Sequence, residues 1–128
     1  MRTSEACEIL MPVPIYLVFA RTVLSTILRA QGRAAEARQV AELGVRKLER
    51  MGCEGVYAVG MHLALAEACF AGDEPEAGKA ALHEALRCVR ARASDIPEPE
   101  ARERFLRQVP ENAWTLELAR RHWGDATA

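Results

Sequence analysis

The feature that most constrains this 128-residue chain is an internal repeat. Residues 15–31 form a long apolar segment that stops at Gly32, which predicts a first helix with apolar side chains on more than one face. Tyr16, Val18, Phe19, Val23, Leu24, Ile27 and Leu28 are spread so widely around it that the helix is expected to lie sandwiched between neighbours. Residues 34–51 place Ala37, Val40, Ala41, Val45 and Leu48 at three- and four-residue spacing among charges, the pattern of an amphipathic second helix. The same succession returns in residues 56–71 and 75–93, the latter with Pro75 in its first turn. At an offset of 40, Gly32 meets Gly72, Glu36 meets Glu76, Ala37 meets Ala77 and Ala41 meets Ala81; at 41, Leu24 meets Leu65, Ser25 meets Ala66, Val45 meets Leu86 and Leu48 meets Val89. One helix pair is thus repeated, with a one-residue difference in the inner turn. Such a unit hides its apolar face only by stacking on another.

Composition agrees with helices that approach closely. Half of the residues are apolar but only 5% are aromatic, and 23 alanines and 13 leucines outweigh 18 valines, isoleucines and threonines taken together. Seventeen basic residues face 18 acidic ones, so the chain lacks the field that non-specific nucleic-acid binding requires, and no nucleic-acid partner is expected. Cys7, Cys53, Cys69 and Cys88 show no C-x-x-C spacing and lie in apolar, helix-like surroundings, which points to a reduced cytoplasmic setting. Glu5, Glu8, Pro12 and Pro14 argue against reading the apolar run from Ile9 to Ala20 as an export signal. That run is too short to span a bilayer before Arg21, so no membrane partner is expected.

Beyond the repeat, Ser94 to Pro99 is a turn with two prolines, followed by short helices over 99–108 and 110–123. The expected organisation is an extension over 1–14, one helical domain over 15–124 and a flexible tail over 125–128. Within the domain, repeat one covers 15–52, repeat two 55–93, and a capping pair 98–123.

Leu24-Ser25-x-x-Leu28 and Leu65-Ala66-x-x-Cys69 in the first helices, with Ala37-x-x-x-Ala41 and Gly78-x-x-x-Leu82 in the second, carry a family resemblance. The unit resembles a tetratricopeptide repeat (TPR), although no aromatic residue stands at the aromatic positions and the period exceeds the usual ~34 residues. Arg104-Phe105-Leu106, Val109-Pro110-Glu111-Asn112 and Thr115-Leu116-Glu117-Leu118-Ala119 resemble the closing segment of TPR regions in large bacterial signalling ATPases, kinases, cyclases and transcription regulators. The resemblance implies an all-α fold of antiparallel helix pairs stacked as a short right-handed solenoid with a C-terminal capping pair, and a regulatory role in signalling.

Signs of catalysis are sparse. The chain has no phosphate-binding G-x-x-x-x-G-K-[ST] loop, kinase signature or G-x-S-x-G, so neither an enzyme nor a bound cofactor is expected. His62 and Cys69 are seven apart on one helical face, but two ligands with no third near in sequence make a poor metal site. Glu98, Glu100 and Glu103 lie among Arg102, Arg104 and Arg107 as a solvated face, and Arg87, Arg90, Arg92, Arg120 and Arg121 are offset by nearby glutamates.

The leading expectation is a non-enzymatic interaction module that holds a peptide or partner helix in a groove formed by the first helices. Arg21, Ser25, Leu28, Met61, His62 and Leu65 are its candidate lining. Two repeats are few for a solenoid core. A homodimer through the first helix is therefore expected, with Ile15, Tyr16, Phe19 and Val23 at its interface. The alternative is a small-ligand-sensing or dimerisation module of a regulator or kinase-type protein.

Overall fold

A computed structural model describes residues 13–50 and 57–124. Among them are six α-helices and no strand: α1 (Val13–Ala30), α2 (Ala34–Arg50), α3 (Ala58–Ala71), α4 (Pro75–Ser94), α5 (Pro99–Gln108) and α6 (Pro110–Trp123). The extension over 1–12, the connection over 51–56 and the tail over 125–128 lie outside the described residues. Pro14, which precedes the helix start expected at residue 15, falls in the first turn of α1, where no intrahelical N–H is needed.

The two inner turns are built alike. After α1, Gly32 adopts φ 78°, its N–H bonds the Arg29 carbonyl at 3.0 Å, and the Arg33 N–H reaches back to Leu28 at 2.9 Å. After α3, Asp73 adopts φ 65°, its N–H bonds Phe70 at 3.2 Å, and the Glu74 N–H reaches Cys69 at 2.9 Å. Both are Schellman closures that satisfy orphan carbonyls. Gly32 is therefore equivalent to Asp73 and not to Gly72, and α2 and α4 begin 41 residues apart. An offset of 41 runs through the whole repeat, so the expected one-residue difference is absent and the identities at 40 are not structural equivalences.

From α1 to α4, successive helices run antiparallel. Ser25 Oγ donates to the Ala37 carbonyl at 2.8 Å and Arg21 Nη1 to the Leu43 carbonyl at 3.5 Å, so α2 descends beside α1. Met61 fits against Gly44 in α2, and Phe70 against Gly78 in α4. α1 and α3 instead lie side by side and parallel: Phe19 meets Tyr57, Thr22 meets Met61 and Arg29 meets Glu67. The backbones of α2 and α4 stay apart, and Arg38 of α2 reaches across to ion-pair with Glu74, the residue that caps α4. α6 packs on both α3 and α4 as α3 packs on α1 and α2, with Trp114 on Glu67 and His122 stacked on Phe70. The short α5 contributes no buried residue and is held to α6 by Asn112 Nδ2, which donates to the Phe105 carbonyl at 3.0 Å.

The core is assembled from small residues and a few large ones. Val18, Ala41, Leu48, Val59, Met61, Ala64 and Val89 form its centre, while Leu82, Leu86, Leu116 and Ala119 join α4 to α6. Gly78 shows how close the helices come. A Cβ there would stand 2.6 Å from Phe70 Cε1, and His122 covers the ring at 4.5 Å between centroids. Gly78→Ala, which in an exposed helix stabilises by about 0.5–1 kcal/mol, is expected here to destabilise by about 1–3 kcal/mol in chemical denaturation.

Candidate functional site

The first-helix groove expected from the sequence is not formed by the six residues chosen for it. Ser25, Leu28 and Met61 are buried in the interfaces of α1, α2 and α3. The Ser25 hydroxyl is committed to Ala37, and Thr22 Oγ1 lies 3.3 Å from Met61 Sδ. Arg21 and Leu65 are half-buried, the former against α2. His62 is largely buried and feels the charges of Glu49 in α2 and of Glu84 and Arg87 in α4. A helix this apolar can turn any of its faces inward, so spacing alone could not assign the buried one.

Chemistry-bearing residues do not converge. His62 and Cys69, two helical turns apart, are separated by about 10 Å of helix rise. Burial pushes the Cys69 thiol above its ordinary range, opposed by the Arg38 charge, so it is not an activated thiolate. Among the described residues no group of three or more His, Cys, Asp or Glu side chains could hold a metal ion. Glu103 pairs with Arg107 at 2.9 Å. Arg120 and Arg121 both bind Glu117, whose carboxyl those hydrogen bonds hold down at about 2. Two open depressions lie beside α4, one of about 430 Å³ lined by Arg92, Asp95, Ile96 and Phe105, the other of about 390 Å³ lined by His83, Arg87 and Arg90. In the first, the Arg92 guanidinium rests 5.9 Å over the Phe105 ring.

His62 gives a pH dependence. Burial lowers its pKa, with Arg87 adding to the effect and Glu84 and Glu49 opposing it. The unfolded chain therefore binds a proton that the folded chain resists, and stability is lost as pH falls through the ordinary histidine value of about 6.5. Thermal unfolding between pH 7.5 and 5.5 is expected to show this loss, and His62→Gln to reduce it.

The prominent surface feature is the solvent side of α1. Tyr16, Ala20, Val23, Ile27 and Ala30 lie along it with spacings of four, three, four and three residues, the register of an a/d seam. Tyr16 is 52% exposed, Val23 42% and Ile27 47%, and Leu17, Phe19 and Leu24 flank them, each also exposed. No charged residue interrupts this strip; Arg21 and Arg29 sit on the inward flanks, toward Leu43 and Glu67. The expected sandwich around α1 is thus absent on this side among the described residues. Of the interface residues chosen from sequence, Tyr16, Phe19 and Val23 belong to the strip, whereas the side chain of Ile15 lies outside the described residues. Ala20, Ile27, Leu17 and Leu24 were missed, although the four-three-four spacing was available to find them.

The repeat explains what kind of face this is. At the offset of 41, Ala20, Val23 and Ile27 correspond to Met61, Ala64 and Ala68, all buried. In α3 those three lie in core clusters shared with α1 and α2, that is, with the preceding helix pair. The outer side of α1 therefore carries the positions that α3 buries against the helix pair before it, and among the described residues no helix lies on it.

No family model matches the chain, and no curated protein or solved structure shows significant similarity to it. No helix among the described residues is long and apolar enough to cross a membrane.

Proposed function

We propose that this chain is a non-enzymatic, TPR-like helical-repeat module whose task is to dock a protein helix on the outer face of α1. The observation that carries the reading is the correspondence just described: the positions that bury α3 on its predecessor are, in α1, an uncharged strip open to solvent. Exposed contiguous apolar patches on this scale mark contact surfaces more often than they are left wet. The parallel placement of α1 and α3 and the position of α6 support a short solenoid closed at its C-terminal end. The docking surface moves accordingly, from the groove between first helices to the end of the stack. A role in signalling rests on the family resemblance and follows it as an expectation. Homodimerisation, expected from the small number of repeats, uses the same face.

The test is binding of a designed, dye-labelled amphipathic helix with leucine and isoleucine along one seam and no charge beside it. Saturable binding by fluorescence anisotropy is expected, weakened at least tenfold by Ile27→Lys. Absence of saturable binding, or binding that survives Ile27→Lys unchanged, contradicts the proposal.

A further inference from the structure

We infer that the α1 face is occupied by the α1 of a second copy of this chain, packed antiparallel about a two-fold axis between Ala20 and Val23. This rests on the docking role proposed for that face and names its partner.

Three observations select this occupant. The first is the character of the two ends of the stack. A head-to-tail assembly would lay α1 of one copy on the C-terminal end of another, but the solvent side of α6 carries Arg120 and Arg121 paired with Glu117, and the outer side of α5 carries Glu103 paired with Arg107. Covering those charges with an uncharged strip would desolvate them without offering partners. The α1 strip meets matching chemistry when it meets itself, and a two-fold contact of identical patches closes at the dimer.

The second is area. Six large side chains of the strip, each two-fifths to one-half exposed, present on the order of 500 Å². Fully covered in both copies, the strip buries about 1,000 Å² in total, which reaches the minimum that a specific interface has to clear.

The third is shape along the seam. In a parallel pair Ala20 would face Ala20 and leave a gap, while Tyr16 would crowd Tyr16. In the antiparallel pair Tyr16 faces Ile27 of the second copy, Ala20 faces Val23 of the second copy, and Leu17 on the flank lies beside Leu24 of the second copy. Large sits against small at the centre, as interdigitating layers require. With no charge at the flanking positions, size decides the orientation.

The experiment combines sedimentation of the unmodified chain with cross-linking. In chains carrying Cys7→Ser and Cys53→Ser, the variants Tyr16→Cys and Ile27→Cys are mixed and treated with a short bis-maleimide. The native Cys69 and Cys88 are buried. Sedimentation at twice the chain mass and cross-links between position 16 of one copy and position 27 of the other, at least tenfold over like-with-like products, are expected. Predominant 16-to-16 and 27-to-27 products overturn the antiparallel arrangement. Higher, concentration-dependent masses point to head-to-tail stacking and overturn it too. A monomer at ~100 μM that still binds the designed helix overturns the second copy as occupant but leaves the docking role standing; a monomer that binds no helix overturns both.

Discussion

Met61→Ala is expected to lower stability by about 2–5 kcal/mol, a fall of roughly 10–20 °C in Tm for a chain of this size, and to leave helix docking unchanged wherever the protein remains folded. Met61 is fully buried where α1, α2 and α3 meet. Its Sδ lies 3.3 Å from Thr22 Oγ1, its Cγ stands 3.2 Å from where a Cβ at Gly44 would be, and it fills the space that glycine leaves. Truncation removes three heavy atoms from a site that rigid helices bound on three sides, so a cavity remains. A groove residue would behave oppositely, losing binding while sparing Tm. Thermal melts of wild type and variant, followed by circular dichroism, separate the two roles.

Val23→Glu is expected to do the reverse. Val23 is 42% exposed, so a carboxylate there stays hydrated in the isolated chain and the melting curve of a monomeric sample should scarcely move. In an assembled seam the same carboxylate would be desolvated with no cation on the strip to meet it. A penalty of about 3 kcal/mol or more corresponds to at least a hundredfold loss of association. Sedimentation of the variant beside wild type, together with far-ultraviolet circular dichroism to verify the fold, measures both halves of the expectation.

What the sequence revealed and what it concealed have the same physical origin. Helix limits were legible because their signals are local. The prolines at 75, 99 and 110 open α4, α5 and α6 where the sequence placed them, and Gly32 closes the turn after α1. The all-α class followed from the same signals. The equivalence of Gly32 with Gly72 was plausible by identity, yet the backbone gives the left-handed conformation to Asp73, because a Schellman turn fixes position and tolerates aspartate there. The facing of α1 was hidden for another reason. Val18, Ser25 and Leu28 turn inward and Tyr16, Val23 and Ile27 outward, but both sets are largely apolar, so no hydrophobic contrast distinguishes them. Only the equivalent buried positions in α3 set the outward residues apart from the inward ones.

Residue-resolved NMR during titration with the designed amphipathic helix decides whether the outer face of α1 is where this protein meets a helix. Amide shifts are expected to concentrate at Tyr16, Ala20, Val23 and Ile27, with α4 and α6 left in place. Shifts centred on the depressions beside His83 and Arg92, with α1 unmoved, would contradict that placement.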